Sequence, residues 1–286
     1  MFHVKHMKNF NKFYCTAKDR LVTGHLFSIY FNQNKSIAKT KVNDNIDMYS
    51  YYKSDQYHSH QKKANYFIDK VYFICRKLMF RYKLGFINKN FSNVSVLDYG
   101  CGNGHFLSYL KKRNIKALGV EKSIESQTEC KSKGLSVFSC VKSINTQKFT
   151  TITMWHVLEH VANPSKCIST LSTILVSKGT LVIAVPNIES TDSQVFKEEW
   201  AALDVPRHLW HFTPDGLIKL LIKQGFVLVK KRPLFLDAYY ISLLSAKRKR
   251  MFFPWIIAFC VATLSNIIGL FNGNYSSNIF VFRKNV

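Results

Sequence analysis

The sequence predicts an α/β protein built on a doubly wound sheet with helices on both faces, and three observations predict it. The first is the stretch Val96-Leu97-Asp98-Tyr99-Gly100-Cys101-Gly102-Asn103-Gly104, where apolar and β-branched residues run up to an acidic one and then meet three glycines. Glycine lets the backbone turn sharply and approach a ligand that any Cβ would obstruct. The second is the segment 105–113, whose Phe106, Leu107 and Leu110 share one helical face. Strand, glycine loop and helix N-terminus together make a site for a nucleotide-like ligand at the carboxyl edge of a sheet. The third is Ala117-Leu118-Gly119-Val120-Glu121, a short strand ending in a carboxylate 17 residues after Gly104. An acidic side chain there accepts both hydroxyls of a ribose. The glycine spacing is G-x-G-x-G, not the G-x-G-x-x-G of dinucleotide enzymes.

Residues 97–104 together with Glu121 resemble the class I S-adenosylmethionine-dependent methyltransferases. Ile152-Thr153-Met154-Trp155-His156-Val157-Leu158-Glu159-His160-Val161 looks like that fold's fourth strand and the turn after it. Gly179-Thr180-Leu181-Val182-Ile183-Ala184-Val185-Pro186-Asn187 looks like its fifth. Over roughly residues 50–285 the chain is similar to bacterial small-molecule methyltransferases related to the ubiquinone-biosynthesis O-methyltransferases. The resemblance implies a Rossmann-like, seven-stranded sheet with its last strand antiparallel, and S-adenosyl-L-methionine as the cofactor. It also implies that Asp98, Gly100, Cys101, Gly102, Asn103 and Gly104 hold the amino-acid part of the cofactor and that Glu121 holds the ribose. Trp155 and His156 would lie beside the same pocket, although for Trp155 core packing is an equal alternative.

Taken in order, residues 1–48 are basic, polar and weakly periodic, which reads as a loosely folded arm before a methyltransferase domain at 49–286. Cys15 followed by Asp19-Arg20-Leu21-Val22-Thr23-Gly24 resembles the remnant of a cysteine-rich zinc module found in related proteins. Its partner cysteines are missing, so no metal is expected there. The aromatic-polar cluster at 49–60 resembles the segment that covers the active site in this family, with tyrosine packing at the sheet edge as the alternative. A basic helix follows at 65–84, with Phe67, Val71, Ile74, Leu78 and Met79 on one face. Ser123 caps a helix that Gly134 stops, and a third strand is expected at 135–141. Asn163-Pro164 and Thr213-Pro214 each open a helix, which Gly179 and Gly225 would end. The sixth strand is expected at 226–229 and the seventh, between its neighbours, at 275–282.

Residues 251–271 contain no charge and follow Lys247-Arg248-Lys249-Arg250. The stretch is long enough to cross a bilayer and carries a cytoplasmic-type basic flank. Crossing, however, would separate the seventh strand from its own sheet. Ala258, Ala262, Ser265 and Gly269 also form a small-residue stripe suited to close packing. The expectation is a helix lying on the domain or in the membrane surface, with Ile257, Val261, Leu264 and Ile268 toward the lipid.

The totals exclude some classes. Seven cysteines without a C-x-x-C pair imply neither a disulfide framework nor a zinc ribbon, so a reduced, cytoplasmic setting is the default. No apolar run near Met1 has the form of a signal peptide. The net charge of +24 is spread along the chain among Asn, Ile, Phe and Tyr, which reads as a solvated lysine-rich surface rather than a nucleic-acid footprint.

Asp204-Val205-Pro206-Arg207-His208-Leu209-Trp210-His211-Phe212 lies after the fifth strand, where the resemblance puts the acceptor site. Two histidines, an arginine and aromatics, with Trp200 upstream, offer a base, an anion clamp and an apolar wall. His208 is the preferred base, with His211 and Arg207 beside it; structural hydrogen bonding is the alternative for both histidines. His156 to His160 also matches H-x-x-E-H, but that zinc-protease motif needs a helix carrying both histidines. Here it leaves a strand, so no metal is expected. The motifs of adenine-N6 and protein-arginine methyltransferases are absent, which leaves a small-molecule, sugar or lipid-linked acceptor, with a non-catalytic cofactor-binding or membrane-attached remnant as the alternative.

Overall fold

The structure is a computed structural model that describes residues 9–43, 46–52, 66–88, 90–144 and 147–285, the side chains of 49 and 66–74 excepted. In chain order, β1 (Phe10–Lys18), β2 (Leu26–Asn32) and β3 (Ile37–Thr40) come first, then α1 (Tyr66–Leu84). The glycine loop lies between β4 (Ser95–Tyr99) and α2 (His105–Lys111). Next are β5 (Lys116–Val120), α3 (Ile124–Ser132), β6 (Val137–Phe138), β7 (Phe149–Trp155), α4 (Pro164–Ile174) and β8 (Leu175–Pro186). The remainder is α5 (Thr191–Phe196), β9 (Trp210–Phe212), α6 (Pro214–Ile222), β10 (Phe226–Pro233), α7 (Phe235–Arg248), α8 (Pro254–Asn272) and β11 (Ser277–Lys284).

The main sheet has the order β10-β11-β8-β7-β4-β5-β6. Its strands are parallel except β11, which runs antiparallel between β10 and β8. This is the seven-stranded arrangement expected from the sequence. Parallel strands covered on both faces are apolar throughout, and β7 and β8 meet that requirement with Ile152, Met154, Leu181 and Ile183 fully buried. The cap residues act as their positions predict. Ser123, Asn163 and Thr213 accept hydrogen bonds from the N–H groups of Ser126, Lys166 and Gly216.

Four local features differ from expectation. The third strand shrinks to two residues. Gly179 lies inside β8 instead of ending α4, because the chain passes straight from Ile174 into an irregular strand start. Leu78 of α1 points to solvent; Phe67, Val71 and Ile74 fall outside the described side chains. The fourth difference is the largest: residues 10–40, expected as a loose arm, form a β-ribbon whose third strand pairs with β9. The pairing of Ala38 with His211 fastens the ribbon to the segment that follows the fifth strand of the sheet.

α8 packs along α7 with Ala258, Ala262, Ser265 and Gly269 turned inward, as their spacing predicts. Ser265 donates to Asp192 Oδ1 at 2.7 Å, and a Cβ on Gly269 would stand 2.6 Å from the Tyr275 ring. The outward face is Ile256, Phe259, Ile267 and Leu270, all apolar. This face is rotated from the expected one: Leu264 is exposed as expected, but Ile257, Val261 and Ile268 are half-buried against the domain. Of the basic cluster, Lys247, Lys249 and Arg250 are exposed, while Arg248 turns inward to the Ala201 carbonyl.

Candidate active site

The glycine loop is shaped by its neighbours. Gly100, Gly102 and Gly104 all have positive φ. A Cβ on Gly100 would lie 2.5 Å from Val157, and one on Gly104 would lie 2.6 Å from Leu135, so both face packed side chains. At Gly102 a Cβ would meet nothing within 4 Å. That is the open side of the loop, where a ligand can approach the backbone. Glu121 reaches back to this point: its Oε2 accepts the Gly102 N–H at 2.9 Å and its Oε1 accepts the N–H groups of Lys122 and Ser123. Asn103 is pinned to α3 by the Ser126 hydroxyl, and the Cys101 side chain packs over Gly119. Asp98 is buried and accepts the Thr153 hydroxyl at 2.7 Å. Burial raises its carboxyl to about 6, against the opposing pull of Thr153 and Lys83.

Trp155 and His156 follow at the carboxyl end of β7. The Trp155 ring meets Phe106 edge-on and has the Lys83 ammonium 4.4 Å above it. His156, at positive φ, bridges two carboxylates: Nε2 to Asp237 Oδ2 at 2.9 Å and Nδ1 to Glu159 Oε1 at 3.4 Å. Burial opposes charge on the imidazole, but Asp237 and Glu159 outweigh it and push His156 up to about 10. The sequence reading named His156 but missed Asp237 and Lys83. Each lies on a distant helix, α7 or α1, with no local motif around it.

Residues 204–212, where the acceptor site was expected, fold back on this end of the sheet. His208 is buried, and its Nδ1–H donates to the Ala202 carbonyl at 2.8 Å. The His160 Nδ1–H donates to the Arg207 carbonyl at 3.0 Å, and the two rings meet edge-on at 4.6 Å. Burial and the neighbouring His208 push His160 down to about 4. His211 Nε2 lies 2.9 Å from Thr40 Oγ1, whose own proton goes to the His208 carbonyl. His211 is therefore the donor in that pair, and burial pushes it down to about 3. A narrow cleft is lined by Ile188, Trp200, Ala202, His208, Trp210 and His211. Tyr52, from the segment expected to cover the site, puts its hydroxyl 3.4 Å from His160 Nδ1; residues 53–60 of that segment lie outside the described residues.

Arg207 does not offer the expected anion clamp. Its guanidinium is fully buried, with Asp19 and Asp204 accepting from it at 2.8–3.1 Å. Asp19 in turn accepts the N–H groups of Leu21, Val22 and Thr23, so the stretch with zinc-module resemblance is a turn that locks the ribbon to Arg207. Glu159 and His160 sit on one short turn, Leu158–His160, rather than on a helix carrying both histidines of H-x-x-E-H, so the protease geometry is absent.

Sheet order, open glycine loop and a carboxylate at the end of the neighbouring strand define a class I methyltransferase fold. A family model described as a methyltransferase domain matches residues 66–231, and the chain belongs to that family. An uncharacterized protein of Methanocaldococcus jannaschii is 24% identical over 173 residues, 59% of this chain and 73% of the relative. Among solved structures, magnesium protoporphyrin IX methyltransferase from Synechocystis PCC 6803, with bound S-adenosylhomocysteine, is similar at a TM-score of 0.54 and 14% identity. That match covers 82% of this chain and 97% of the other. The cyclopropane synthase MmaA2 of Mycobacterium tuberculosis is similar at 0.51 and 15% identity, over 72% and 83%.

The protein is a methyltransferase with S-adenosyl-L-methionine as its methyl donor. The residues present fit that cofactor. Gly102 is open on the ligand side, and Asp98, Asp237 and the Trp155 face already attract one cation, the Lys83 ammonium. When bound, the cofactor supplies an electrophilic methyl group on a sulfonium; the protein supplies alignment and exclusion of water.

Proposed function

We propose that the protein methylates an oxygen or nitrogen of a small-molecule or lipid-linked acceptor held between the Trp200–Phe212 segment and the turn after β7. The observation that carries this reading is the meeting of His160, His208 and Glu159 beside a narrow cleft after β8. His208 is the side chain on which acceptor activation turns. Its Nδ1–H is spent on the Ala202 carbonyl, so Nε2 keeps its lone pair for the acceptor's proton. Asp98, the glycine loop and Glu121 hold the cofactor, and Trp155 and His156 border it. The apolar outward face of α8 and the exposed Lys247, Lys249 and Arg250 support contact with an anionic membrane surface. An acceptor with a lipid tail suits that location.

The test incubates purified protein, S-adenosylmethionine and cell extract, and searches by mass spectrometry for products heavier by about 14 Da, one CH2 in the transfer. Product is expected with wild-type protein and a roughly 10²–10⁴-fold lower rate with His208→Ala. Unchanged turnover in that variant ends the role of His208. Absence of any product dependent on the protein ends the reading as a whole.

A further inference from the structure

Glu159 poses a problem that the methyl-transfer site leaves unanswered. It is 1% exposed, and among the described residues no donor meets either carboxylate oxygen at good hydrogen-bond geometry. The nearest cation, His156, is an ion-pair contact at 3.4 Å and is turned mainly to Asp237. A buried carboxylate without donors is costly, so structures keep one where something else meets the charge. The other groups facing it are His160 and His208, and one ligand atom from each of the three residues lies within 4.8 Å of the other two.

The histidine tautomers point the same way. A backbone carbonyl only accepts, so the bonds to the carbonyls of Arg207 and Ala202 fix the proton on Nδ1 in His160 and His208 alike. Each neutral ring then offers its Nε2 lone pair. Carbonyl-anchored imidazoles of this kind are the usual second shell of metal-bound histidines. His211, whose Nε2–H is spent on Thr40, is not part of this group.

We infer that Glu159, His160 and His208 form a site for a divalent cation of the zinc type at the edge of the acceptor cleft. Two imidazoles and one carboxylate are a known catalytic zinc donor set, and three protein ligands leave a coordination position open. His156 and Asp237 buttress Glu159 from behind. The sequence pattern H-x-x-E-H supplies two of the ligands, but its first histidine is replaced by His208 from the acceptor segment.

The site rests on the proposed acceptor reading and, when filled, replaces His208 as the activating base. With the cation bound, the His208 lone pair is occupied, and the open position receives the acceptor oxygen. The cation lowers the pKa of that hydroxyl, whose proton passes to water. The O–CH3 bond then forms as the S–CH3 bond breaks, with the electron pair staying on sulfur.

The test uses the whole protein, dialysed against chelator and titrated with Zn2+ or Co2+ alone. One cation per chain and a visible Co2+ absorption band are expected. Glu159→Gln and His208→Ala, checked for folding by circular dichroism, should each lower Co2+ affinity by about 100-fold, at or beyond the 10–100-fold typical of second-shell changes. Less than one cation per wild-type chain, or unchanged affinity in either folded variant, overturns the assignment. Nitrogen NMR of wild-type protein needs no substitution: Zn2+ must shift the Nε2 resonances of two histidines, and unmoved rings overturn the site. Calorimetry with S-adenosylhomocysteine on the same samples separates the readings. Its binding persists if the cation assignment alone fails and is absent if the methyltransferase site itself has been misassigned.

Discussion

Asp98 is under two opposed demands. On the proposed reading the cofactor's ammonium would favour its ionised form, whereas burial favours the neutral acid and raises its pKa to about 6. A raised carboxyl contributes stability that is fully present below the usual carboxylate range and is lost as pH rises through about 6. Cofactor affinity should therefore strengthen as pH rises through about 6, and Asp98→Asn should abolish that dependence in calorimetry. The same variant should unfold later than wild type at pH 7.5, by up to about 3 kcal/mol in denaturant titration. Gly102→Val should block cofactor binding, since it fills the open side of the loop and strains a residue at positive φ. Wild-type affinity in this variant, measured the same way, removes the loop from the site. The convergence of the glycine loop, Asp98 and Glu121 at one edge of the sheet was legible because it follows from two neighbouring parallel strands and the turn between strand and helix. Asp237, Lys83 and Asp19 were not, because each acquires its partner only when distant segments meet.

At the scale of the element, α8 inverts the usual amphipathic pattern. A helix on a water-soluble surface turns its polar side outward, yet this one buries Ser265 on Asp192 and exposes Phe259 and Ile267. The 19-residue helix was legible from composition, but its orientation was not, because apolar residues on nearly every side leave only the small-residue stripe as a guide. Vesicle flotation checks the outcome. Anionic vesicles at low salt should carry the protein upward, each exposed basic residue contributing about 1 kcal/mol. The doubly substituted Phe259→Ser, Ile267→Ser chain should stay behind with its melting temperature unchanged. Equal recovery of wild type without and with vesicles at every salt concentration argues that the face serves another purpose.

Across the whole molecule, the segment after the fifth strand is fastened by the start of the chain. Asp19 and Asp204 share Arg207, and β3 pairs with β9. Arg207→Ala strands two buried carboxylates and should cost about 3–5 kcal/mol of stability in denaturant unfolding. Hydrogen exchange should then show lost protection at 200–212 while the strand amides at 181–185 stay protected. Protection lost equally in both regions would mean that ribbon and sheet open as one unit. The sheet was readable from alternating strands and helices; the ribbon was not, since Phe10–Lys18 and Leu26–Asn32 lack a clean apolar–polar alternation. The pairing of Ala38 with His211 also sets a timetable. On the ribosome, the open edge of β3 waits while roughly 170 further residues are added, about 10–30 s at ordinary elongation rates. During that interval the nascent chain presents an unpaired strand edge, the kind of surface on which chains aggregate. That edge is covered only once Trp210–Phe212 has emerged, still before β11 arrives to complete the main sheet.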